Sequence, residues 1–382
     1  MRILYFTRDY TTHDYRFLSS LAETEHSIHS LRLEKRGMAR EDRPLPPGVE
    51  QIVWGAGRDE VRLREYPALA WELRRLIRSL RPDVIHAGPV QSAAFLAALT
   101  GFRPLVTMSW GSDLLRDADA QPRRTRFALR RTTVLLGDCL AVRDKAAAFG
   151  FDPQRTVLFP WGVDLKRFAP KKPVSGALDE AGAEEPLRAA LGWDGDAFTL
   201  LCLRAWEPLY GVDVVVRAFA LASQHAPKLR LFLLSGGSQA KQLREILLRY
   251  DVLDRVVFGG QVTQTALPQY YHASDLYLSA SHSDGSSVSL MEALASGLPV
   301  RVSDIPGNRE WITPGVQGWL FPVSDAEALA SGILNAVEQR SALSAMGRAG
   351  RSLAEQRANW PENFQKLLQA YQMALELARK EQ

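Results

Sequence analysis

Residues 283–297, SDGSSVSLMEALASG, place two acidic residues on either side of a turn made of small residues. The apolar run DLYLSAS at 275–281 comes directly before this turn and is typical of a buried strand. After Gly285 and its neighbouring serines, apolar residues recur at helical spacing. Asp284 therefore lies in the turn, and Glu292 lies inside the predicted helix. Ligands of open α/β sheets bind at the carboxyl ends of strands, so this turn is predicted to line a ligand site.

The same order of strand, loop and helix recurs along both halves of the chain. RILYFT at 2–7 is predicted as the first strand, and later strands alternate with amphipathic segments. Such alternation, found twice, favours an α/β protein with two doubly wound, Rossmann-like domains that face each other. In the second half, the pattern predicts helices at 213–224, 239–249, 288–296 and 325–337.

A segment rich in Pro, Gly, Ala and charged residues separates the two halves. We assign residues 1–170 to an amino-terminal domain and residues 171–195 to a linker or insertion. Residues 196–356 are assigned to a second domain, which contains the turn with Asp284; the resemblance described below implies that the first is the acceptor side and the second binds a nucleotide-sugar donor. The terminal stretch 357–382 carries a stripe of apolar residues at helical spacing, which predicts a long helix that packs back on the first domain.

Length and composition exclude several classes of protein. A chain of 382 residues is long enough for two domains, and its 46% apolar content is ordinary for a globular protein. The two cysteines, Cys139 and Cys202, are far apart, which argues against a disulfide framework or a zinc site and fits a reducing cytosol. No apolar run approaches the roughly 18 residues of a membrane span, and the first ten residues do not resemble a signal peptide.

Positive charge is concentrated in the first half of the chain. The net charge is +4, but residues 1–170 hold 27 Lys and Arg against 20 Asp and Glu, or +7, and the remainder holds 20 against 23, or −3. A basic half suits an anionic partner, such as a phospholipid, a phosphorylated substrate or nucleic acid. Scattered solvated arginines are an equally good explanation.

The chemistry of the turn suits a nucleotide sugar. The backbone N–H groups of Ser286, Ser287 and Val288, at a helix N-terminus, would bind a diphosphate, and Gly285 would let the backbone approach it closely. Glu292 would accept hydrogen bonds from a ribose diol, and Asp284 is free to hold hydroxyls of the sugar. The alternative needs no ligand, because Ser289 and Glu292 fit a capping box, S-x-x-E.

These residues resemble the donor-binding signature of retaining glycosyltransferases of family 4, which have the GT-B fold. That signature is Glu, seven residues, Glu, followed by a small-residue segment, here ALASGLPVRVSD after Glu292, with Asp284 standing for the first Glu. Arg204, in LCLRAWEPLYG, matches an Arg that grips the diphosphate, and Tyr210 stands where the family has Lys. The resemblance further assigns to the donor site Gly236, Gly237, Gly260, Val262 and Glu310.

The first half departs from the family pattern. RDYTTHDYR replaces a glycine-rich loop and makes His13, Asp14 and Arg16 available. The segment MSWGSD carries Trp110 and Asp113 where relatives often have His. We take His13 and Asp113 as acceptor-side catalytic candidates, beside Arg204 and Asp284 on the donor side.

The first half carries further candidate features. His86, at the end of a strand, either lines the cleft or is a structural histidine, and Gly88 and Pro89 begin a helix whose N-terminus offers a second anion contact. DADA at 117–120, in a polar loop, superficially resembles a metal motif, but the α/β alternation disagrees with it. QPRRTRFALRR at 121–131 suits either a membrane-surface helix or a solvated one. FPWGVDLKRFAP at 159–170 resembles a hinge segment of the family, in which Trp161 stands where the family has Asn.

The resemblance implies transfer of a sugar from a nucleoside-diphosphate sugar, UDP-sugar above all, to a hydroxyl, with retention and with neither metal nor other cofactor. The acceptor is left open as a lipid, a glycan or a small molecule. We expect a cytoplasmic monomer or homodimer that contacts the inner face of the membrane and binds no nucleic acid. Two alternatives remain: a nucleotide-sugar-binding protein without transfer activity, and a GT-B nucleotide-sugar epimerase.

Overall fold

A computed structural model describes residues 1–35, 41, 43–57, 59–171, 186–193 and 195–380. The chain divides into two compact units. Unit 1 comprises Met1–Trp161 and Pro361–Gln382, and unit 2 comprises Gly162–Trp360.

Unit 1 is built on a parallel sheet whose strands are apolar and mostly buried, as expected for a sheet covered on both faces. Within the described residues the strand order is β3-β2-β1-β4-β5-β6-β7, so the order reverses between β1 and β4. The strands are β1 (Arg2–Thr7), β2 (Ser27–Arg32), β3 (Val49–Gln51), β4 (Val84–Gly88), β5 (Leu105–Met108), β6 (Val134–Gly137) and β7 (Thr156–Leu158).

Helices connect these strands and cover the sheet. They are α1 (Thr12–Ala22), α2 (Tyr66–Leu80), α3 (Phe95–Thr100), α4 (Ser112–Leu115), α5 (Asp117–Ala120), α6 (Pro122–Arg131) and α7 (Leu140–Ala148). Helix α2 shows why these helices cover the sheet with one face. Its Leu69, Leu73 and Ile77 recur at helical spacing and are buried, while the opposite face carries arginines. The DADA segment, predicted as a loop, is helix α5, because it continues directly from α4 and buries Ala118.

Unit 2 has the same kind of sheet, with the order β10-β9-β8-β11-β12-β13 among the described residues. Its strands are β8 (Phe198–Cys202), β9 (Leu229–Leu234), β10 (Val256–Gly260), β11 (Leu276–Ser279), β12 (Val300–Ser303) and β13 (Gly318–Phe321). Its helices are α8 (Pro186–Ala190), α9 (Val212–Ser223), α10 (Ala240–Arg249), α11 (Leu267–His272), α12 (Val288–Ala295), α13 (Pro306–Arg309), α14 (Ala326–Glu338) and α15 (Leu343–Arg357). The four helices predicted in this half are confirmed as α9, α10, α12 and α14, each within a residue or so.

The boundary between the units lies earlier than residue 170. Val163 and Phe168 are buried in the core of unit 2, and Val163 pairs with Asn359, so residues 162–170 belong to that unit. The predicted linker 171–195 falls partly on residues 172–185, which lie outside the described residues. Its last part was assigned wrongly, because residues 186–190 form α8 and Trp193 is buried in the same core.

The terminal helix α16 (Trp360–Lys380) contributes to unit 1. Phe364, Leu367 and Tyr371 are buried along its inner face. The Tyr371 hydroxyl lies 2.7 Å from Nδ1 of His86, and the two share a hydrogen bond. Burial lowers the pKa of His86 to about 3, so this imidazole is neutral. His86 is fully buried, and of its two interpretations the structural one therefore holds.

Candidate functional site

The candidate site of unit 2 lies where its strand order reverses, between β8 and β11. The carboxyl ends of two neighbouring strands diverge at such a point, and ligands of doubly wound sheets bind there. Arg204 follows β8, and the turn with Asp284 follows β11. An ion pair joins the two, with Nη2 of Arg204 lying 2.7 Å from Oδ2 of Asp284.

Arg204 is held on several sides. Its Nη1 donates to the Oγ atoms of Ser287, at 2.9 Å, and Ser289, at 3.3 Å. The guanidinium lies 4.3 Å from the centre of the Tyr210 ring. Burial raises the pKa of Asp284 above its ordinary value, although Arg204 and the N–H of Gly285 act in the opposite direction. Because a cation lies so close, we treat Asp284 as the ionised partner of the pair.

The turn after Asp284 ends at the N-terminus of α12. Ser287 is the N-cap and makes no side-chain cap, while Ser289 lies inside the helix. Its Oγ is 2.8 Å from the Tyr277 hydroxyl, on β11. The capping box suggested by the sequence is therefore wrong. Helix α12 thus begins at the turn of Gly285, Ser286, Ser287 and Val288, and the binding of an anion at this helix N-terminus stays a prediction.

Glu292 is the fifth residue of α12, just over one turn from its start, and 2% of its surface is exposed. The hydroxyl of Tyr271, on α11, donates to Oε2 of Glu292 at 2.8 Å. Burial and the neighbouring carboxylate raise the pKa of Tyr271 well above its usual value, so it remains a donor. Tyr271 thus fixes the orientation of the carboxylate. The sequence did not predict this contact, because nothing around Tyr271 distinguishes it from a core residue.

The loops after β8 and β9 are tied to each other beside Arg204. Trp206 N–H donates to the carbonyl of Gly236 at 2.9 Å. Glu207 accepts hydrogen bonds from the N–H and the hydroxyl of Ser238, at 2.9 and 2.5 Å. A Cβ at Gly237 would lie 2.5 Å from the Trp206 carbonyl, so only glycine allows this approach. The sequence predicted Gly236 and Gly237 as site residues but not Glu207, whose carboxylate joins the loop after β8 to Ser238 in the loop after β9.

The remaining donor-side residues of the prediction lie along the same edge of the sheet. Gly260 ends β10 with φ +62°, and Val262, two residues on, packs against the core of unit 2. A Cβ at Gly307 would lie 2.4 Å from the carbonyl of Gly285, so α13 packs its backbone against the turn that follows Asp284. Glu310 follows α13, and its carbonyl accepts a hydrogen bond from Arg357.

In unit 1, His13 and Trp110 lie together at the carboxyl edge of the sheet. Their rings are 5.4 Å apart and 32° from parallel, and both are half-buried. Trp161, at the position of the family Asn, is buried beside Trp110, with ring centres 5.9 Å apart. The sequence predicted the first two residues as acceptor-side features but did not predict this aromatic cluster.

Asp113 does not lie on the acceptor surface. It is 4% exposed and accepts hydrogen bonds from Ser109 Oγ at 2.6 Å and from the N–H of Val90 at 2.9 Å. Its carboxylate therefore occupies the helix start after Pro89, where the sequence suggested a second anion contact. Both carboxylate oxygens of Asp113 accept hydrogen bonds inside unit 1. This geometry suits a residue that holds the turn with Trp110 in place, and it does not suit a catalytic residue.

Two family profiles match the chain. "Glycosyl transferases group 1" matches residues 183–353, and "Glycosyl transferase 4-like" matches residues 2–136. Together they cover most of both halves of the chain, which therefore belongs to the family 4-type glycosyltransferases. The resemblance suggested by the residues around Glu292 is thus confirmed.

Solved structures confirm the GT-B fold. Anabaena HepE in complex with UDP has a TM-score of 0.77 at 18% identity over 97% of this chain and 99% of that one. Sucrose-phosphate synthase from Thermosynechococcus elongatus has a TM-score of 0.76 at 18% identity, covering 97% and 98% of the two chains. At such identities the likeness concerns the fold alone.

Curated relatives are similar over parts of their length. The D-inositol 3-phosphate glycosyltransferase of Geodermatophilus obscurus is 29% identical over 60% of this chain and 49% of its own. The GDP-mannose-dependent alpha-(1-6)-phosphatidylinositol monomannoside mannosyltransferase of Mycolicibacterium smegmatis is 25% identical over 77% of each chain. The chain spans about half the length of the first of these relatives.

Proposed function

We propose that this protein is a glycosyltransferase that moves a hexose from a nucleoside-diphosphate sugar to an acceptor hydroxyl with retention of configuration. The observation that carries the proposal is the position of Arg204, paired with Asp284 beside the N-terminus of α12 at the strand-order reversal of unit 2. A guanidinium and converging backbone N–H groups are suited to the charge that develops on a departing diphosphate.

The other residues have distinct roles in this proposal. Glu292, oriented by Tyr271, holds the ribose, and Asp284 holds sugar hydroxyls while it is paired with Arg204. The loops with Gly237 and Gly260 admit the diphosphate and the base. Because Arg204 and the amides supply the positive charge, the reaction needs neither a metal ion nor a cofactor. No side chain is assigned as a covalent nucleophile.

We propose UDP as the nucleotide, since Anabaena HepE, which has a similar fold, was solved in complex with UDP and with UDP-glucose. One relative is named as GDP-mannose-dependent, so GDP-sugars belong in the same experiment.

A panel of UDP- and GDP-sugars tests the function. We expect release of the nucleoside diphosphate with one sugar, faster with acceptor glycans or lipids, and unchanged by EDTA. Tight binding without release would instead support the binding protein, to which Tyr210 in place of Lys points. Conversion of the sugar without an acceptor would support the epimerase. Loss of activity with EDTA would contradict the metal-independent mechanism.

We further propose that unit 1 contacts an anionic membrane at the cytoplasmic face, through a different helix from the one the sequence suggested. Helix α6 does not expose its apolar residues, because Leu129 is buried and Phe127 packs against the core of unit 1. Helix α2 instead exposes Trp71, at 62%, with the guanidinium of Arg75 lying 4.8 Å from its ring. Arg78 continues the same exposed face.

This surface combines an interfacial aromatic residue with positive charge. Leu63, just before α2, is 55% exposed. Each arginine near an anionic surface contributes about 1 kcal/mol, so attachment should be reversible and sensitive to salt. Among the described residues, no helix is both long and apolar enough to cross a bilayer.

Co-sedimentation with vesicles measures this attachment. We expect binding to anionic vesicles at low salt, less at high salt, and little to neutral vesicles. Trp71→Ala and Arg75→Gln should each weaken binding roughly fivefold, the equivalent of about 1 kcal/mol. Leu248→Ala, which removes an apolar residue of unit 2 that is 61% exposed, is the matched control. Equal binding of the wild type to both vesicles, or to neither, would contradict the proposal.

A further inference from the structure

Tyr210 occupies the position at which the resemblance expects a second cation. We propose that Tyr210 is a positioning residue, whose ring holds the Arg204 guanidinium in place at the diphosphate site. This inference rests on the proposed function, because it concerns how the same site binds the donor.

The backbone on both sides of Tyr210 is fixed to the loop that follows β11. The N–H of His282 donates to the carbonyl of Leu209 at 2.9 Å. Gly211 has φ +56°, and a Cβ there would lie 2.3 Å from the carbonyl of Ala280. Tyr210 therefore extends from a short turn, Pro208–Tyr210, with little freedom to move relative to the loop that follows β11.

The ring covers one face of a guanidinium that is already held at its edges. Its centre is 4.3 Å from the guanidinium carbon, while Asp284, Ser287 and Ser289 accept hydrogen bonds from Nη1 and Nη2. A guanidinium has five N–H groups, and these contacts use three of them. Of the two that remain, Nε is buried, so the second N–H of Nη2 is the donor left for a phosphate, with the plane of the group fixed by Tyr210.

The identity of residue 210 decides between two electrostatic arrangements. A lysine at this position would place a second positive charge next to the guanidinium. This second charge would attract a diphosphate, but it would repel Arg204 when the site is empty. The tyrosine ring attracts the guanidinium instead, by about 0.5–2 kcal/mol. Arg204 is therefore preorganised, so less of the binding free energy is lost in ordering its long side chain.

The alternative is that Tyr210 contacts the donor directly through its hydroxyl. Tyr210→Phe and Tyr210→Leu distinguish the two, because phenylalanine keeps the ring and removes the hydroxyl. If the ring acts through Arg204, Tyr210→Phe should stay within about twofold of the wild type in UDP affinity and in kcat/KM. Tyr210→Leu should lose about two- to thirtyfold in both, the equivalent of the cation–π attraction.

The decisive measurement is a double-mutant cycle in nucleotide affinity and kcat/KM. In an Arg204→Ala background, Tyr210→Leu should have no further effect, since the group that it positions is absent. Tyr250→Leu is the matched control, because Tyr250 is also half-buried and packs against the same apolar core, and it should change neither quantity. Melting temperatures of all variants report whether each one folds.

Two results would overturn the inference: a Tyr210→Phe variant as impaired as Tyr210→Leu, or a Tyr210→Leu effect of the same size with and without Arg204. Either can occur while the wild type binds UDP and releases it from UDP-sugars. Failure of the proposed function looks different, because the wild type itself would then neither bind UDP nor release it.

Discussion

Arg204→Ala is expected to lower turnover by roughly ten- to a thousandfold, the range for removing one electrostatic stabiliser of developing charge. The guanidinium lies between Asp284 and the start of α12, where a departing diphosphate would meet it. Tyr210 carries no charge that would substitute for it. The measurement is the rate of UDP release from the sugar identified in the panel, with the saturation behaviour of the donor followed separately.

The substitution also leaves Asp284 without its cation, which could disturb the turn by itself. The double variant Arg204→Ala with Asp284→Asn removes this problem, because the amide needs no counter-ion. We expect the double variant to remain impaired. Arg217→Ala breaks an exposed pair with Asp213 in the same unit and should leave turnover within twofold. Turnover at the wild-type level in Arg204→Ala would contradict the assignment of this residue.

The donor half was predictable because its signals are local. In unit 2 a strand, a glycine turn and a helix follow one another within about twenty residues, and the periodicity of each element is undisturbed. The resemblance then placed Arg204 and Asp284, which lie 80 positions apart, in one site, and an ion pair of 2.7 Å joins them. The main-chain order of an open α/β sheet is sufficient for this, since both residues follow neighbouring strands.

Partners from distant elements were not predictable. Tyr271 orients Glu292 from a different helix, and nothing in the surrounding sequence distinguishes this tyrosine from a core residue. Asp113 was interpreted as catalytic because its segment stands where relatives often have His, yet its carboxylate accepts a hydrogen bond from the N–H of Val90 inside unit 1. A carboxylate that satisfies a helix start and one that meets a substrate have the same local sequence.

Surface patterns were the least reliable signals. Helix α6 has five arginines and two larger apolar residues, which predicted an amphipathic surface helix. The structure turns Phe127 and Leu129 inward, where Phe127 lies against the ring of Phe95 at 5.6 Å. An amphipathic helix has the same periodicity whether its apolar face meets a protein core or a membrane, so sequence alone does not separate the two.

Glu292→Gln is expected to weaken nucleotide binding by about ten- to a hundredfold. Loss of a hydrogen bond to a charged group is worth roughly 1.5–3 kcal/mol, and the ribose would lose a charged acceptor while the shape of the side chain is kept. The hydroxyl of Tyr271 can still donate to the amide oxygen, so the buried contact at 2.8 Å survives. The melting temperature should therefore remain nearly unchanged.

Calorimetric titration with UDP measures this loss, and ribose-free uracil and pyrophosphate separate its causes. If Glu292 holds the ribose, pyrophosphate should bind wild type and variant alike, whereas UDP should bind the variant more weakly. Tyr271→Phe provides a graded comparison, because it keeps the carboxylate but removes the donor that orients it, and should weaken UDP binding less than Glu292→Gln. A variant that melts early but binds UDP normally per folded molecule would instead make Glu292 a structural residue of α12. If Glu292→Gln weakens the binding of UDP and of pyrophosphate equally, Glu292 would instead act on the diphosphate and not on the ribose.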